Sequence, residues 1–118
     1  MGQPVVHFEI IGNEPQKLRS FYSELFGWKL GEMMAPEMGS YSMIDGESAG
    51  IPGGIGADQT GKARTTIYVQ VPDLQATLNQ AKAKGGNIVM EPMEIPGGNV
   101  TIAMFTDPEG NLIGLTKG

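Results

Sequence analysis

Residues 5–30, VVHFEIIGNEPQKLRSFYSELFGWKL, decide the plan of the chain. They read as an alternating strand from Val5 to Ile11, a turn at Gly12 and Asn13, a helix from about Pro15 to Leu25, and a second strand opening at Trp28. Leu18, Phe21, Tyr22 and Leu25 recur at i, i+3, i+4 and i+7, which lines one helix face with apolar side chains and turns Lys17, Arg19, Ser20 and Glu24 elsewhere. Asn13 or Glu14 suits the cap, Pro15 the first turn, and Gly27 the residue beyond the last turn. Strand side chains alternate, so Val6, Phe8 and Ile10 share one face and His7, Glu9 and Ile11 the other. The wholly apolar set packs on the helix. His7 and Glu9 are left on the opposite face, where a pocket can form.

Outward from this stretch, the second strand runs to about Met34, residues 36–39 turn, and Tyr41 to Ile44 form a third strand. Asp45 to Gly50 is another turn, Ile51 to Ile55 a glycine-rich fourth strand, and Asp58 to Lys62 a polar linker. The second half repeats the order. Thr65 to Val71 is a strand, and Pro72 and Asp73 open a helix striped by Leu74, Leu78 and Ala81 that ends at Gly85 and Gly86. Three strands follow at Asn87 to Met90, Val100 to Phe105 and Asn111 to Thr116, joined by turns at 96–98 and 107–110. A shift of 59 positions lays the halves over one another, with Phe8 on Ile67, Ile10 on Val69, Glu14 on Asp73, Gly27 on Gly86 and Leu30 on Val89. The expectation is an α+β fold of two βαβββ modules in tandem, module one about 1–60 and module two about 61–118, in a single domain with helices on the outside.

Composition narrows the function. At 118 residues, 40% hydrophobic and 18% charged, the chain supports one globular core. A formal charge of −5 with two arginines, Arg19 and Arg64, gives no electrostatic footprint for nucleic acid. No apolar run is long enough to span a bilayer, and no basic-then-apolar leader opens the sequence, so a cytoplasmic protein without a membrane partner is expected. The absence of cysteine removes disulfides, thiolate metal sites and a cysteine nucleophile. The 18 glycines fall between strand-like runs and mark turns. The glycines of residues 50–56 do not make a phosphate cradle, because no Lys-Ser/Thr ending follows and no helix opens there.

Several pieces together resemble the vicinal oxygen chelate superfamily, which includes glyoxalase I, bleomycin-resistance proteins and extradiol dioxygenases. They are His7-Phe8-Glu9-Ile10 before an acidic helix start, Phe21-Tyr22 followed by Phe26-Gly27-Trp28, Tyr68-Val69-Gln70-Val71-Pro72-Asp73-Leu74, Ala83-Lys84-Gly85-Gly86, and Phe105-Thr106-Asp107-Pro108-Glu109-Gly110-Asn111. The resemblance covers essentially the whole chain. It implies curved mixed sheets enclosing a cavity, a small-molecule ligand, and a homodimer. It also implies, in the metal-using members, a divalent ion held through a first-strand and a last-strand residue of each module.

Carried over position by position, the first-strand site of module one is His7 and that of module two is Thr66. The last-strand site of module two is Gly114, and that of module one falls among Gly53, Gly54, Ile55 and Gly56. Only His7 offers a ligating group, whereas a catalytic divalent metal takes about three protein ligands. Glu9, Asp45 and Glu47 are the carboxylates within reach in sequence. The reading is therefore a small-molecule-binding protein with a largely apolar cavity and no obligatory cofactor, whose ligand-pocket candidates are His7, Glu9, Thr66, Tyr68 and Gln70. The alternative is a metal-dependent lyase, isomerase or dioxygenase of the glyoxalase kind using His7, and drug sequestration like that of bleomycin-resistance proteins is a third. The methionines Met33, Met34, Met38, Met43, Met90, Met93 and Met104, with Trp28 and Tyr41, read as core filling.

Overall fold

A computed structural model describes residues 2–33, 40–57, 62–95 and 100–117. The chain divides into two compact units, His7–Thr65 and Met1–Val6 together with Thr66–Gly118. The expected turns at 36–39 and 96–98, nearly all of the linker at 58–62, and Met34 and Met38 lie outside the described residues.

In the first unit, β1 (Val5–Gly12) leads into α1 (Pro15–Phe26), followed by β2 (Ser42–Ile44), α2 (Gly46–Ala49) and β3 (Gly53–Ala57). β1 lies parallel to β3, with Phe8 opposite Gly53 and Ile10 opposite Ile55, and β2 lies antiparallel to β3. α1 closes on Gly27, whose φ of 72° lies in the left-handed region that glycine enters without a Cβ penalty, and the Gly27 N–H donates to the Ser23 carbonyl.

Among the described residues, the second strand expected from Trp28 to Met34 is reduced to one bridge, Leu30 opposite Ile44. The Gly31 N–H donates to the Met43 carbonyl and the Asp45 N–H to the Lys29 carbonyl. The Lys29 N–H is drawn instead to Ser48 Oγ at 2.9 Å, so the ladder does not extend. The expected turn at 45–50 contains α2, a single helical turn closed by the Gly50 N–H on the Gly46 carbonyl. Four residues are too few for a 3.6-residue period to show in sequence.

Ile10, Ile44 and Ile55 form the buried centre of this unit, and Phe8, Leu18, Tyr22, Trp28, Leu30 and Ala49 pack around them. The apolar face of β1 thus meets α1 as the alternation requires. The helix stripe is narrower than expected: Leu18 and Tyr22 face the core, while Phe21 and Leu25 are each 58% exposed. The ring of Trp28 stacks on Tyr22 at 5.5 Å and tilts against Phe26 at 5.1 Å.

In the second unit the path is similar and the strands after the helix are longer. β4 (Arg64–Val71), α3 (Leu74–Ala83), β5 (Asn87–Ile95), β6 (Val100–Thr106) and β7 (Leu112–Lys117) follow in order. β4 pairs parallel with β7, β7 antiparallel with β6, and β6 antiparallel with β5. Asp73 caps α3, its Oδ1 accepting the Ala76 N–H at 3.0 Å. Leu74 and Leu78 press onto Val71, Ala103 and Leu115, with Val69, Ile88 and Phe105 beside them. Leu78, with no exposed surface, contributes about 1.5–3 kcal/mol through burial alone. Both units therefore follow strand, helix, strands, with the first strand parallel to the last. This is the tandem βαβββ order in the α+β class.

Candidate functional site

Alternation along β1 places His7 and Glu9 on the face away from α1, since their neighbours Phe8 and Ile10 belong to the helix-side core. Two residues along a strand put the two side chains roughly 7 Å apart, too far for their Cβ atoms to be neighbours. The Tyr41 hydroxyl spans the gap. It donates to Glu9 Oε2 at 3.1 Å and lies 2.9 Å from His7 Nε2. The hydroxyl and the imidazole are within hydrogen-bonding distance, and which of them donates depends on the tautomer of the ring. Burial disfavours the charged ring and holds the His7 pKa below its ordinary 6.5, which keeps the imidazole neutral at pH 7.

Tyr41 reaches this position because β3 presents no side chain in its way. Register sets Met43 opposite Gly54, and Tyr41, two residues before Met43, shares that face. A Cβ added at Gly54 would overlap the Tyr41 hydroxyl, and one added at Gly56 would fall 2.8 Å from the Tyr41 ring. Two alternate glycines leave an empty stripe, and one aromatic ring fills it.

The second unit has a counterpart. Thr66, Tyr68 and Gln70 lie along one face of β4, opposite the face that Val69 and Val71 turn toward α3. Tyr68 is paired with Gly114, and its ring covers that glycine so closely that an added Cβ would overlap it. Met104 is paired with Gly114 on the other side, and Met90 with Met104. Thr66 is 3% exposed, and its Oγ1 has no hydrogen-bond partner among the described residues. The five expected pocket residues thus fall into two groups, His7 and Glu9 in one unit and Thr66, Tyr68 and Gln70 in the other. Tyr41 is the member that sequence reading assigned to core filling. The signal that could have found it is the glycine at both positions 54 and 56, one side of a strand left bare.

A model of the glyoxalase/bleomycin resistance protein/dioxygenase superfamily matches residues 5–115. The chain belongs to that superfamily. The lactoylglutathione lyase of Haemophilus influenzae is 30% identical over 100 residues, covering 76% of this chain and 74% of that protein. The anthracycline biosynthesis protein DauV of a Streptomyces species is 30% identical over 105 residues, and the match spans 76% of this chain but 38% of that longer protein. Among solved structures, a hypothetical protein from Bacillus halodurans superposes with a TM-score of 0.74 at 15% identity, covering 100% of this chain and 96% of that one. The methylmalonyl-CoA epimerase of Mycobacterium tuberculosis superposes with a TM-score of 0.69 at 18% identity, over 96% of this chain and 86% of that one. At these identities the structural likenesses speak for the fold.

Superfamily membership raises the question of a divalent ion, and the donor set answers poorly. Among the four positions to which the resemblance points, His7 alone carries a good ligand. Thr66 offers a hydroxyl, and Gly114 and the glycines of β3 offer hydrogen, with Tyr41 and Tyr68 rings lying where side chains would begin. Among the described residues, no group of three histidine, aspartate or glutamate side chains is placed to hold an ion.

Proposed function

We propose that this superfamily member binds a small organic molecule without an obligatory metal, with His7, Glu9 and Tyr41 as the candidate contacts on the sheet face of the first unit and Thr66, Tyr68 and Gln70 as those of the second, each taken by itself. One observation supports the reading: tyrosine rings cover Gly54 and Gly114, two of the positions to which the resemblance points. In the first unit an aromatic ring and an adaptable thioether, Tyr41 and Met43, suit an apolar ligand body, and the hydroxyl, imidazole and carboxylate suit one polar group on it. A homodimer working in the cytoplasm is part of the same proposal, and no described helix is long and apolar enough to cross a membrane.

The test is calorimetric titration of the purified chain with Zn²⁺, Ni²⁺ and Mn²⁺, beside native mass spectrometry of the chelator-treated protein against a metabolite mixture. Ligand capture by the chelated protein, with no stoichiometric ion binding, is the expected result. Tight one-to-one binding of an ion, lost in His7→Ala, would overturn the proposal. Turnover of a hemithioacetal that chelator stops would do the same, in favour of a lyase like the Haemophilus relative.

A further inference from the structure

Ser42 opens β2 with no exposed surface, paired with Ile55 and on the same strand face as Ile44, the face that belongs to the apolar centre of the first unit. A buried hydroxyl needs an acceptor, and one left without costs about 1–3 kcal/mol. Among the described residues, the acceptor that Ser42 finds is a sulfur: its O–H donates to Met33 Sδ at 3.4 Å. A thioether accepts weakly, so this buried donor is held in place and poorly satisfied. Met33 itself is half-buried, which leaves part of its surface in reach of solvent. The bridge of Leu30 with Ile44 and the Gly31 N–H on the Met43 carbonyl tie the preceding residues to β2, and so keep the Met33 stem beside Ser42.

We propose that Met33 is a reversible oxidation site for peroxides, whose sulfoxide is received by the buried Ser42 hydroxyl. A lone pair of Met33 Sδ forms an S–O bond with one oxygen of hydrogen peroxide as the O–O bond breaks. The proton on the transferred oxygen moves to the departing one, which leaves as water, so the sulfur is oxidised by two electrons and the peroxide reduced. At an ordinary packed methionine the new polar S–O group disrupts its surroundings. Here a donor already waits. After rotation about the Met33 side-chain bonds, the Ser42 O–H donates to the sulfoxide oxygen, a stronger acceptor than the sulfur it replaces, and the buried hydroxyl gains a full partner. The site is separate from the candidate ligand contacts, because Ser42 lies on the core face of β2 and Tyr41 and Met43 on the other.

In a chain without cysteine, mild hydrogen peroxide acts on the thioethers. The test treats wild type, Met33→Leu and Ser42→Ala with it, reading the modified positions by peptide mass mapping and stability by urea unfolding before and after. Met43 and Met93, 40% and 44% exposed, are present in all three chains and cancel in the comparison. The expected result is a sulfoxide at Met33 in folded wild type, with a fall in the urea midpoint no larger than that of Met33→Leu, which keeps the volume of the side chain. In Ser42→Ala, where the sulfoxide has no donor, the midpoint should fall by about 0.5 M more. An unreacted Met33 in the folded chain overturns the proposal. So does a larger fall in wild type than in Met33→Leu, or an equal fall in wild type and Ser42→Ala. Should Ser42→Ala not fold, the comparison of wild type with Met33→Leu decides by itself.

Discussion

The hydroxyl of Tyr41 occupies the place where a side chain at position 54 would have to start. Each residue is the condition for the other: the ring lies over β3 because position 54 is glycine, and position 54 tolerates nothing larger while the ring is there. Gly54→Ala is therefore expected to destabilise the chain by about 1–3 kcal/mol through overpacking. Made in a Tyr41→Ala background, the same substitution should cost much less, and the two should be clearly non-additive. Urea unfolding of the four chains in the cycle measures this coupling. Additive costs would mean that the ring moves aside freely.

The equivalent pair in the second unit, Tyr68 over Gly114, supports a parallel expectation. Gly114→Ala should destabilise by a similar amount, and Tyr68→Ala should relieve it. Met104, paired with Gly114 and 8% exposed, narrows the room for the ring to retreat. A near-neutral Gly114→Ala would show that this face is more loosely packed than the first.

Much of this architecture was legible in residues 5–30 and their echo after residue 64. The alternation in β1 correctly divides Phe8 and Ile10 from His7 and Glu9, and the spacing of Leu74 and Leu78 gives the buried stripe of α3. The stripe of α1 is narrower than its periodicity implies, because periodicity reports what a helix could bury and not what the surrounding packing reaches. The role of Tyr41 was out of reach for a different reason. Its contact with His7 joins residues 34 positions apart, and it exists only through the β2–β3 register, which a chain read in order does not reveal.

Leu78→Ala and Leu25→Ala separate the two helix stripes. Leu78 has no exposed surface, and its truncation should cost about 2–5 kcal/mol. Leu25 is 58% exposed and should change stability by less than about 0.5 kcal/mol, although the sequence pattern treats the two alike. Chemical denaturation of both variants measures the difference, and equal losses would place the last turn of α1 in the core.

Helix starts differ in the same way. Asp73 accepts the Ala76 N–H, whereas Glu14 at the start of α1 makes no side-chain cap bond. Asp73→Ala should cost about 1 kcal/mol. Glu14→Ala should stay near neutral, since its pairing with Lys17 at 3.4 Å joins two solvent-exposed side chains. Equal losses in the two variants would remove the distinction.

The histidine offers a pH signature that can be assigned without ambiguity, because the chain has only one. Burial holds its pKa in the folded chain below 6.5, while the unfolded chain titrates at the ordinary value. Between those two values the unfolded state binds more protons than the folded one, so the contribution of His7 makes stability rise with pH across that window. Above 6.5 both states are neutral at this residue, and below the lowered value both are protonated, so the slope due to His7 vanishes on either side. The expected observations are a His7 proton NMR titration with its midpoint under 6.5, and an acid-side loss of stability that His7→Gln flattens. A midpoint above 6.5 would mean that the Glu9 carboxylate, acting through the Tyr41 hydroxyl, outweighs burial.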